Sequence, residues 1–150
     1  MEWLANDVGI FFISGKPGTG KSTIMRYIHE DERTIKHFLG RKQKLPALIS
    51  FFFHDLGIPS EKTFSGMLHA LLCQLLHKVP GFRRVIKPQF KQLRRRFTVS
   101  SKNQVFWSEA LKRAFESIQH SEHHEVRVLC IVDGRDECGE NQLCMIKFLT

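Results

Sequence analysis

"FFISGKPGTGKSTIM", Phe11 to Met25, decides how the rest of the chain is read. An apolar run from Val8 to Ser14 ends at Gly15, a glycine-rich turn follows, and Lys21, Ser22 and Thr23 come directly after it. Gly15, Lys16, Pro17, Gly18, Thr19, Gly20, Lys21 and Ser22 satisfy every fixed position of the phosphate-loop pattern G-x-x-x-x-G-K-[ST]. Glycines allow the backbone to curl so that successive N–H groups point inward at phosphate oxygens. A helix opening at the end of the loop adds the positive end of its dipole. In that arrangement Lys21 reaches the β and γ phosphates of ATP or GTP, and the Ser22 hydroxyl is a Mg²⁺ ligand. The pattern predicts a strand buried on both faces over Val8 to Ser14 and a helix over Lys21 to Glu30.

Mg²⁺ keeps several waters and takes one or two protein oxygens, so a second acid is expected at a strand end. "VLCIVDGRDE" supplies it: an apolar run and then Asp133, which would hold the metal directly or through water. Beyond it lie Asp136 and Glu137, either of which could orient or deprotonate an attacking water.

Between these motifs the periodicity alternates. "PALISFFF", Pro46 to Phe53, and "VRVLCIV", Val126 to Val132, read as two further buried strands, with Cys130 as a small core residue. Phe64, Leu68, Leu71, Leu72, Leu75, Leu76 and Val79 form one face of a helix opened by Pro59 and Ser60, with Ser60 as its expected N-cap. Gln104 to Gln119 reads as another helix, with Phe106, Ala110, Leu111, Ala114, Phe115 and Ile118 inward, and Asn141 to Leu149 as a last amphipathic piece. The segment from His29 to Lys44 is charged and loop-like, with one helical turn at Thr34 to Leu39. Strands alternating with helices define an α/β fold with a parallel sheet.

Composition limits the function classes. At 150 residues the chain suits one domain. Its four cysteines hold no C-x-x-C pair and no regular spacing, so neither a disulfide framework nor a zinc site is expected and a reducing compartment is the default. No apolar run reaches the ~18 residues of a membrane helix, and the acidic start lacks the form of a signal peptide. A cytoplasmic location is the expectation. The net charge of +8 is concentrated between Lys78 and Lys102, where nine Lys or Arg occur without an acid. Phe82, Ile86, Phe90, Leu93 and Phe97 recur there at near-helical spacing, which favours a packed helix with a solvated basic face over a nucleic-acid site. Pro88 is expected to break or kink that helix. His120, His123 and His124 have no fourth ligand at a fitting spacing and read as a solvated turn.

Taken together, "WL", "IFFISGKPGTGKSTIM", "SFFFHDLG", "MLHALLCQLL" and "VLCIVDGRDEC" resemble the NACHT-type nucleotide-binding domain of fungal Nod-like receptors, from Trp3 to about Glu140. The D-G-x-D-E strand end is the more specific part, since Gly134 follows the metal aspartate where many relatives carry a glutamate. The resemblance implies a P-loop NTPase of the STAND class: a three-layer α/β/α fold acting as a signal-transduction switch. Such a switch binds Mg²⁺ and ATP or GTP, hydrolyses slowly, and self-associates or pairs with other NACHT proteins. It carries over Lys21 with Asp136 and Glu137 as catalytic residues, Gly15 to Thr23 as the nucleotide cradle, and Ser22 and Asp133 as metal ligands. Arg135 stands where the family places an apolar or aromatic residue, and its guanidinium either pairs with the two acids and blunts turnover or points to solvent.

The family's sheet order resembles 5-1-4-3-2, in which the strand between the phosphate-loop strand and the Asp133 strand comes later in sequence. The chain stops at Thr150, so the expectation is a sheet incomplete at its C-terminal end. From this follows an alternative function, a catalytically silent interaction fragment that pairs with a full-length NACHT protein. A small-molecule kinase on the same scaffold is a third reading, with "FRRVIKPQFKQLRRRF" as its one candidate lid.

Overall fold

The computed structural model describes residues 9–39, 45–54, 57–58, 62–96, 104–122, 125–134 and 138. Helix α1 (Lys21–Glu30) is followed by α2 (Glu32–Leu39), strand β1 (Leu45–Phe52), helices α3 (Phe64–Lys78), α4 (Phe82–Arg96) and α5 (Gln104–Gln119), and strand β2 (Val126–Asp133). The two strands pair in parallel, in register from Leu45 opposite Val126 to Phe52 opposite Asp133. They are hydrogen-bonded neighbours in a two-stranded sheet among the described residues.

Because successive side chains of a strand point to opposite faces, β1 feeds two separate apolar clusters. Ala47, Ile49 and Phe51 face α3, α4 and α5, where they meet Met67, Leu68, Leu71, Leu72, Leu75, Phe82, Ile86, Leu111, Ala114 and Ile118. Leu48 and Phe52 face the other way, with Leu129 and Ile131 of β2, and are covered by Met25 and Ile28 of α1 and Phe38 of α2. Helices therefore lie on both faces of the parallel pair. Arg127 is buried on the second face, where it donates to the Phe38 carbonyl and lies 4.4 Å from the Phe38 ring centroid. The free edge of β1 is covered by α3: the Gln74 side chain accepts from the Ser50 N–H at 3.0 Å and donates to the Ser50 carbonyl at 2.8 Å. One amide thus replaces the strand that the Ser50 backbone would otherwise seek.

Several expectations need correction. Gly9 to Lys16 form no strand, and Ile10, Phe11 and Phe12 are 43%, 60% and 64% exposed instead of buried. Val8 lies outside the described residues. A buried strand needs a ladder on at least one side, and the sheet is two-stranded, with β1 and β2 paired to each other. Helix α3 opens later than expected, capped by Thr63, whose hydroxyl accepts from Gly66 N–H at 3.1 Å; Ser60 lies outside the described residues. The single turn at Thr34 is a full helix beginning at Glu32.

Pro88 does not break α4. Its ring and the Arg84 position four residues earlier are both exposed, on the solvent side of the helix. Phe82 and Ile86 meanwhile hold the inner face. Cys130 is exposed, together with Val128, because the helices on that side lie mainly over β1; Cys138 is the buried thiol. Phe97, the side chains of Leu93 and Phe106, and the segment Asn141 to Leu149 lie outside the described residues.

Candidate functional site

The loop before α1 takes its shape from three local features. Gly18 and Gly20 have φ of 79° and 81°, a left-handed backbone that side-chain-bearing residues rarely adopt. The Thr19 hydroxyl donates to the Lys16 carbonyl at 2.8 Å and closes the turn. The Lys21 ammonium folds back over the loop and donates to the carbonyls of Gly15 and Lys16, each at 3.0 Å. A Cβ on Gly15 would sit 3.0 Å from the Thr19 hydroxyl oxygen, a tight contact that the Thr19 side chain would have to yield to.

Gly20 is the N-cap of α1, and no side chain caps the helix. The first-turn N–H groups at Lys21, Ser22 and Thr23 therefore have no acceptor four residues earlier within the helix. The Thr19 N–H donates to the Lys16 carbonyl at 3.3 Å, and Ser22 and Thr23 are exposed. The first four amides of a helix combined with a fixed ammonium form a donor set suited to phosphate oxygens.

Asp133 ends β2, where its carbonyl accepts from Phe53 N–H at 3.0 Å. Gly134 follows with φ of 69°, so the chain turns immediately after the strand, as the Asp-Gly pair suggests. The α1 helix lies against β2 through Met25 and Ile28, which places the loop and Asp133 on the same two elements. Asp133 makes no hydrogen bond or ion pair with Lys21 or Ser22. Arg135, Asp136 and Glu137 lie outside the described residues.

Two groupings were not anticipated from the sequence. Arg26, one turn after Ser22, lies over the Phe52 ring at 5.6 Å, and His29 meets the same ring edge-on at 6.2 Å. Phe52 is opposite Asp133, so these contacts fasten α1 to the end of the sheet. The i, i+3 spacing of Arg26 and His29 was the available signal, but the aromatic partner is distant in sequence.

Asp31 joins α1 to α2. It accepts from the Arg33 guanidinium and, at 2.8 Å, from the Arg33 backbone N–H, while Arg33 also donates to the Tyr27 hydroxyl. The Arg33 side-chain hydrogen bond, and then its backbone N–H, hold the Asp31 carboxyl well below the usual carboxylate range. A depressed carboxyl contributes stability that is present above its unfolded pKa of about 4 and is lost as pH falls through the lower folded value. Asp31→Asn is therefore expected to lower Tm at neutral pH, with the gap from wild type narrowing as the pH drops below about 4. Thermal melts at pH 7 and in acid check this.

Helices packed on both faces of a parallel pair place the chain in the α/β class. Within that class it belongs to the family described as Nephrocystin 3, N-terminal, whose model matches residues 1–150. No curated protein and no solved structure matches the chain. Among the described residues no helix is long and apolar enough to cross a membrane.

Proposed function

We propose that the chain binds a Mg²⁺–nucleoside triphosphate, ATP or GTP, through Gly15 to Thr23 and serves as the NACHT-type switch module of a STAND-class protein. The observation that carries the reading is the Lys21 ammonium, held over the loop by two backbone carbonyls directly above an uncapped helix start. The residues present fit the nucleotide: backbone N–H groups and Lys21 would take the phosphates, and Ser22 with Asp133 would hold Mg²⁺. Mg²⁺ supplies charge neutralisation at the β and γ oxygens. Lys21 exchanges its carbonyl partners for phosphate oxygens, which are the stronger, charge-assisted acceptors. Slow hydrolysis, with Asp136 or Glu137 directing water and Arg135 restraining them, belongs to the same reading.

Asp133→Asn is expected to remove most of the Mg²⁺ dependence of binding. Affinity for the triphosphate in Mg²⁺ should fall to roughly its value in EDTA, because the neutral amide no longer balances the ion's charge. Titrating a fluorescent triphosphate with and without Mg²⁺ decides it; a Mg²⁺ response equal to wild type removes Asp133 from the site.

A second reading, an interaction module that is silent in hydrolysis, is favoured by one observation. The apolar run before the loop is exposed at Ile10, Phe11 and Phe12 instead of sheathed in the sheet. A phosphate loop whose preceding segment is not fixed by a ladder is less preorganised, and that loss weighs on turnover more than on binding.

A further inference from the structure

Helix α4 carries seven Lys or Arg and no Asp or Glu between Phe82 and Arg96. Its inner face is fixed: Phe82 and Ile86 are buried in the core, and Val85 and Phe90 pack against it. Arg83, Arg84, Lys87 and Lys91 are exposed on the outside. Positions 83, 87 and 91 are successive i, i+4 steps, so they form one stripe about 12 Å long, with Arg84 beside its start. Elsewhere on the surface Arg33, Lys36 and Arg113 have carboxylate partners in Asp31, Glu32 and Glu109. Among the described residues none of these four α4 cations has an ion pair or a side-chain hydrogen bond.

From this unneutralised stripe we propose that the outer face of α4 docks on an anionic phospholipid bilayer, independently of the phosphate loop. Among the described residues no large apolar side chain of α4 is exposed. The face therefore lacks the aromatic anchor on which protein interfaces concentrate their energy, and the ring on which single-stranded bases stack. A charged headgroup layer needs neither. It attracts each cation near its surface, and each one strengthens attachment by about fivefold. Because Phe82, Ile86 and Phe90 are committed to the core, α4 has no apolar face to bury among acyl chains, as an interfacial amphipathic helix does. Attachment is thus electrostatic, shallow and sensitive to salt.

The test is sedimentation of the full chain with vesicles of phosphatidylcholine, with or without roughly one third phosphatidylserine. Attachment to the anionic vesicles and none to the neutral ones is expected at about 0.1 M salt, with release at about 0.5 M. The double variant Arg83→Gln, Lys87→Gln is expected to lower the partition coefficient by about 30-fold, two cations at about fivefold each. The matched control Lys36→Gln, Arg113→Gln removes the same net charge from cations that already have carboxylate partners, and should change it by less than about threefold. All four side chains are exposed, and far-ultraviolet circular dichroism verifies that each variant keeps its helices. Indifference to phosphatidylserine, an equal loss in the two double variants, or tighter attachment to duplex RNA or polyglutamate than to the anionic vesicles at the same salt would each overturn the proposal.

Discussion

Lys21→Ala is expected to reduce affinity for nucleoside di- and triphosphates by about 100-fold or more. The ammonium makes at least two hydrogen bonds, and each one to a charged group is worth about 1.5–3 kcal/mol. Its loss also leaves the Gly15 and Lys16 carbonyls without the ammonium that they accept from. The variant should fold as wild type, because the Lys21 ammonium bonds to two loop carbonyls and Lys21 is not part of either apolar cluster. Isothermal titration of ADP and ATP into both proteins checks this, with melting curves as the control for folding. Unchanged affinity would remove the loop from the binding site.

Leu68→Ala should produce the largest loss of stability, about 3 kcal/mol and so a substantial part of a domain's total of about 5–15 kcal/mol. Leu68 is completely buried, among side chains of the cluster that joins α3 to β1, α4 and α5. Truncation removes apolar contacts and leaves a cavity that such a packed centre closes only in part. Leu45→Ala is the matched control: Leu45 is 62% exposed at the start of β1, and the same chemical change there should cost well under 1 kcal/mol. Urea unfolding of the two variants separates the cases. Comparable losses would mean that the packing on the α3 face of the sheet differs from that described.

What the sequence shows of this fold follows from the range of the interactions involved. Helix α1 and helix α5 begin and end where their periodicity and neighbouring turns place them, because glycine punctuation and 3.6-residue spacing are local signals. The strand after Leu45 and the strand ending at Asp133 are legible for the same reason, as β-branched and aromatic runs bounded by polar segments. Their pairing is not contained in either run, and came from the family resemblance.

The failures are instructive in the same terms. "IFFIS" has every local mark of a buried strand, yet burial is conferred by neighbours, and β1 and β2 do not pair with it. Cys130 sits in an apolar run but on a part of β2 that the helices leave exposed. Arg127 shows the reverse, a charged residue in "VRVLCIV" that is buried because Phe38, far away in sequence, offers a carbonyl and a ring. Pro88 is tolerated inside α4 at an exposed position, a placement that its average cost in a helix does not reveal.

At the candidate site the legible part is the loop itself. Glycine at the two left-handed positions, Lys21 at the helix start and Asp-Gly at the strand end are each dictated by a local geometric need. The Arg26–Phe52–His29 contacts and the Asp31–Arg33–Tyr27 group depend on how α1 meets its neighbours, so spacing alone did not expose them.

The central claim is that Gly15 to Thr23 hold a phosphorylated nucleotide. Its most direct test is equilibrium binding of fluorescent ATP, ADP and GTP analogues to the full chain, with and without Mg²⁺. Saturable binding that unlabelled nucleotide displaces, that Mg²⁺ strengthens for the triphosphates, and that Lys21→Ala abolishes is the predicted result. A soluble, cooperatively melting chain that shows no saturable binding of any of the three would contradict it.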